Sequence, residues 1–80
     1  MLSDFDAAIR TRFLVHLNQD MLYMGRHPAN AQGCHDSAVS VVEALSRIEL
    51  ISSMEKESLL AGVDFALMGA IKALRLRRGE

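Results

Sequence analysis

The last third of the chain reads as one helix that is apolar on two opposite sides, and 80 residues supply too little surface to cover both. At about 100° per residue, Leu60, Val63, Leu67, Ile71 and Leu74 form a stripe of large side chains. Gly62, Ala66, Gly69 and Ala73 form a stripe of small ones on the other side, flanked by Leu59, Phe65 and Leu76. Only a narrow strip carrying Glu57, Asp64, Lys72 and Arg75 is polar. A helix apolar nearly all round needs neighbours on more than one side. A second copy of the chain is the expected source of the missing neighbour.

Size sharpens the point. A single domain over residues 1–80 has one small core, worth only about 3–5 kcal/mol unless a metal, disulfides or oligomerisation add to it. The single cysteine excludes an internal disulfide. At 50% hydrophobic residues the chain is too apolar to be disordered, yet no apolar run approaches the roughly 20 residues that span a bilayer. The acidic start through Asp4 and Asp6 lacks the basic region and apolar core of a signal peptide. A cytoplasmic protein without membrane attachment, with Cys34 a reduced thiol, is therefore expected. A net charge of −1 gives no global attraction to nucleic acid.

Three helices account for the chain, and the expected fold is an all-α, three-helix antiparallel domain completed by dimerisation. The first helix starts at Ser3 or Asp4, where a side-chain oxygen can cap free amides and Asp4 and Asp6 complement the positive dipole end. It runs to about Gly25 on the stripe Phe5, Ile9, Phe13, Leu17, Met21 and Met24. Val15 and Leu22 fall off that stripe and Leu14 lies at its edge, so this helix also carries surplus apolar surface. Pro28 has no amide and disfavours helix at His27, so the helix ends before it. The second helix can start at Pro28 or later, with Asp36 as its cap; the alternating spacing of Cys34, Ala38, Val41, Leu45 and Ile48 favours a start near Ala31 to Cys34. Ser52-Ser53-Met54-Glu55 is a capping box that opens the third helix, with Leu50 and Ile51 pinning the turn. That helix runs to about Arg77, with basic residues at its negative dipole end.

The small-residue stripe admits two explanations. Either it packs against the first two helices, or it meets its own copy across a two-fold axis, with Leu14, Val15 and Leu22 contributing. Surplus apolar surface on the first helix favours the second. Whatever remains exposed around Tyr23, Met24, Arg26 and His27 is the expected surface for a protein partner. Five methionines suit a surface that adapts to a partner, and core packing accounts for them equally well.

Catalytic and metal chemistry find little support. Asp20 and Asp64 sit beside apolar stripes, where a carboxylate needs a partner or solvent, or serves as an acid or base or as a ligand for a partner's cation. Nothing near them supplies a nucleophile, a phosphate cradle or an oxyanion site. His16, His27, Cys34 and His35 are the only soft ligands, and adjacent Cys34 and His35 diverge on a helix. No metal site and no cofactor are expected. Lys72, Arg75, Arg77 and Arg78 form a basic helix end without interleaved aromatics, so nucleic acid is disfavoured as a partner.

In layout and size the chain resembles small bacterial regulators and phage-encoded inhibitors that act by binding other proteins, a likeness that carries no residue across. The expected role is a non-enzymatic interaction or regulatory module, of adaptor or inhibitor type, acting as a homodimer. The alternative is a small transcriptional regulator that uses the basic end of the third helix.

Overall fold

Local capping chemistry sets where the first and third helices begin. The computed structural model describes residues 3–77, with α1 at Asp4–Arg26, a 3-10 turn at Pro28–Asn30, α2 at Ala31–Arg47 and α3 at Ser53–Arg77. Among the described residues there is no strand. Ser3 Oγ accepts from the Asp6 amide at 3.1 Å, as expected of an N-cap. Ser52 Oγ accepts from the Glu55 amide at 3.1 Å while the Glu55 carboxylate accepts from the Ser52 amide at 3.0 Å, the reciprocal pair of a capping box. Glu55 also pairs with Arg10 and so ties α3 to α1.

α2 starts at Ala31, within the favoured range, after a separate tight turn opened by Pro28, whose missing amide costs nothing there. Its end depends on a strained residue. Glu49 has φ 61°, with its amide on the Ser46 carbonyl at 3.1 Å and the Leu50 amide on the Leu45 carbonyl at 2.9 Å. That is a Schellman ending, usually built on glycine. Its accompanying apolar contact is supplied by Leu45 and Leu50, both buried in the core.

The core consists of Leu17, Met24, Ala31, Ala38, Val42, Leu45, Leu50, Ile51, Val63 and Ala70. Two expected stripes leave it at their ends. A repeat of four residues overshoots the helical turn by about 40° per step, so Phe5 lies about 120° round α1 from Leu17. Phe5 is accordingly 74% exposed while Leu17 is buried. On α2 the seam passes through Val42 more deeply than Val41, and Ile48 is 65% exposed because it is the C-cap, where the chain leaves the helix.

α3 lies with α1 on one flank and α2 on the other. Gly62 faces α1, since a Cβ there would stand 3.6 Å from Met21 Sδ. Asp64 faces α2, bonded to His35. Arg10 and Met21 on α1 meet Glu55 and Gly62 on α3 in the same order along both helices. The molecule is 50 Å long, against roughly 37 Å for a 25-residue helix such as α3, so the helices are staggered. Among the described residues no helix is long and apolar enough to cross a membrane.

Candidate interaction surface

The stripes of α3 divide differently from the expectation. Gly62 points at Met21, and Ala66 packs against the core, so this part of the small-residue stripe is used within the chain. Ala73 is half-buried. Gly69 alone of the four is exposed, with nothing within 4 Å of where its Cβ would be. Of the large stripe, Val63 is buried and Leu60, Leu67 and Leu74 are half-buried, whereas Ile71 is 40% exposed. Two flanking helices bury an arc that takes in both stripes. What stays uncovered is a third strip between them.

That strip is long and regular. Met54, Ser58, Ala61, Phe65, Met68, Lys72 and Arg75 are all exposed and alternate spacings of four and three residues along α3. Met54 is 82% exposed, Phe65 79% and Met68 68%, with Leu76 beside them at 70%. The 4-3 alternation is the spacing of a helix that packs against a single neighbouring helix. Phe65, Met68, Gly69 and Lys72 surround a groove on this face that continues to Ile71 and Arg75. The spacing was present in the sequence, hidden beneath two more conspicuous stripes of the same helix.

The other expected surface residues fall as follows. Val15 and Leu22 are 52% and 57% exposed on α1, while Leu14 packs against the core. Tyr23 is half-exposed and its ring lies 4.5 Å from that of His27. Arg26 and His27 are exposed. Met24 is a correction: fully buried in the core, it is closed to a partner, because it continues the core-facing side of α1 that holds Leu17. Lys72, Arg75 and Arg77 are exposed, and Arg78 lies outside the described residues.

His35 and Cys34 on α2 each tie it to another helix. His35 Nε2 lies 2.6 Å from Asp64 Oδ1 and its Nδ1 3.2 Å from Asp36 Oδ1. The bond to Asp64 holds the imidazole above its ordinary 6.5, against the opposing effect of burial. Asp36 is held low by His35 and then by Gln32. Asp64 thus finds a histidine 29 residues away, a pairing with no local signal in the sequence. Cys34 Sγ donates to the Asp20 carbonyl at 3.5 Å, and burial, with a smaller contribution from the Asp20 charge, pushes the thiol up. A protonated thiol of this kind is a poor nucleophile. Asp20 otherwise has His16 Nδ1 at 3.9 Å. Among the described residues no three His, Cys, Asp or Glu side chains converge as a metal cluster would.

Compared with known protein families, with curated protein sequences and with solved structures, the chain matches none.

Proposed function

We propose that the chain is a non-enzymatic interaction module, of adaptor or inhibitor type, that works in the cytoplasm as a homodimer of antiparallel three-helix units. The observation that carries the reading is the uncovered apolar strip of α3, with Met54, Phe65, Met68 and Leu76 each more than two-thirds exposed. Large exposed apolar patches on small proteins mark interaction sites. Full burial of a Leu, Met or Phe side chain contributes about 1.5–3 kcal/mol, so Phe65, Met68 and Leu76 from each copy give an upper bound of about 9–18 kcal/mol. Association costs about 4–15 kcal/mol, so burial of these side chains has to be nearly complete for a stable dimer. Val15, Leu22, Tyr23, Arg26 and His27 on and just after α1 remain for a protein partner.

A second reading, a nucleic-acid-binding regulator, draws on the exposure of Lys72, Arg75 and Arg77 together at the end of α3. Few phosphates can be neutralised by so small a cluster, and a single aromatic side chain, Phe65, shares the groove of Lys72 and Arg75, where stacking along a strand uses several. Affinity capture from the native cell with nuclease treatment, followed by mass spectrometry, separates the two. A protein retained in stoichiometric amount after nuclease supports the interaction module. Loss of all captured material on nuclease treatment, with sequence-specific nanomolar DNA binding by fluorescence anisotropy, would replace it with the regulator.

A further inference from the structure

We propose that α3 pairs with α3 of a second copy in antiparallel register, the two-fold axis passing between Phe65 and Met68, and that Phe65 of each copy fills the groove floored by Gly69 in the other. The proposal rests on the homodimer reading and adds the surface, the direction and the register.

Charge distribution fixes the direction. The first half of α3 holds Glu55, Glu57 and Asp64 against one lysine, Lys56, whereas the second half holds Lys72, Arg75 and Arg77 and no carboxylate. Parallel pairing would lay like charge on like, which opposes association. Antiparallel pairing lays the acidic half of one helix along the basic half of the other. Arg10 and His35 already engage Glu55 and Asp64 within the chain, which leaves Glu57 as the exposed carboxylate free of a bond to another helix.

The register follows from shape. Phe65, Met68, Gly69 and Lys72 form the four-cornered depression that receives a side chain in helix pairs of 4-3 spacing, and the absent side chain at Gly69 makes it deep. Phe65, 79% exposed, is the large side chain next to it. An isologous contact requires knob and hole on the same surface, and both are here. With the axis between Phe65 and Met68, each phenyl ring reaches the depression of the other copy. Glu57 then lies within about 1.5 Å, along the axis, of the level of Arg75 on the second copy. Glycine in an exposed helix interior is otherwise unfavourable by about 1 kcal/mol relative to alanine, and this contact supplies a reason for it.

Sedimentation velocity on the full chain measures the dimer constant for the wild type, Gly69→Leu, Phe65→Ala, Glu57→Arg, Arg75→Glu and the last two combined. Gly69→Leu and Phe65→Ala are expected to weaken the dimer by roughly tenfold to hundredfold with helix content unchanged. Each charge reversal is expected to weaken it, and the double reversal to restore it. Direction is read by spin labels at Ser58→Cys in a Cys34→Ala background. Antiparallel pairing separates the two labelled backbones by about 27 Å, parallel pairing by about 10 Å. A wild type that stays monomeric overturns the homodimer reading and this proposal with it. A wild-type dimer insensitive to Gly69→Leu and Phe65→Ala, or with its labels close together, overturns this proposal alone and leaves the homodimer standing.

Discussion

Glu49→Gly should stabilise the protein although it removes a charge and adds no contact. Glu49 holds φ 61° at the end of α2, a conformation in which a Cβ crowds the following carbonyl at a cost of about 1–2 kcal/mol. Glycine removes that cost, and its greater freedom in the unfolded chain returns about 0.5–1 kcal/mol of it. The two hydrogen bonds of the ending, Glu49 to Ser46 and Leu50 to Leu45, are made by backbone atoms and persist. The net expectation is a gain of about 0.5–1 kcal/mol, or a rise in Tm of about 2–8 °C for a domain of this size. Circular dichroism during thermal and urea unfolding measures it, at one fixed protein concentration because dimerisation would make Tm concentration-dependent. Glu49→Ala keeps the strain and removes the charge, so it should change stability by less than about 0.5 kcal/mol. A loss of stability in Glu49→Gly, or an equal gain in Glu49→Ala, would refute the backbone argument.

The His35 to Asp64 bond makes stability fall as pH rises. The folded imidazole binds its proton more tightly than the unfolded one, so its contribution is complete below pH 6.5 and is lost as pH climbs through the raised folded value. Asp64→Asn should flatten that slope in urea titrations across this range, and an unchanged slope would show that the bond is not formed in solution. Asp36 and Glu55, both held low, act at the other end: their stabilisation is present above the ordinary carboxylate range and disappears as pH falls below it. Cys34 should react with a thiol reagent at neutral pH more slowly than the same residue in the urea-unfolded chain, by its raised pKa and partial burial; equal rates would contradict its placement against Asp20.

Features set within one turn of chain were legible in the sequence. Ser3, the capping box at Ser52 and Glu55, and the interruption at Pro28 each act through atoms three or four residues apart. The ending at Glu49 was not, because glutamate carries none of the glycine signal that usually marks a positive φ. Helix faces were legible as patterns and ambiguous as contacts. Two apolar stripes and a mixed strip carrying Phe65, Met68, Lys72 and Arg75 run along α3, and which parts become core depends on where α1 and α2 lie, a long-range matter that local periodicity does not contain. Hence Gly62 and Ala66 turn inward and Gly69 stays out, although all share one stripe in projection. Met24 went astray for the same reason. It sits near a loop in sequence, but it is fully buried in the core cluster.

Sedimentation equilibrium of the untagged chain across the micromolar range tests the central claim most directly, because the proposed second copy is what would cover the exposed strip of α3. The account predicts a species of about twice the 8.8 kDa chain mass. A folded 8.8 kDa monomer persisting to hundreds of micromolar (about 10⁻⁴ M, where even an association of about −5.5 kcal/mol would register) would contradict it.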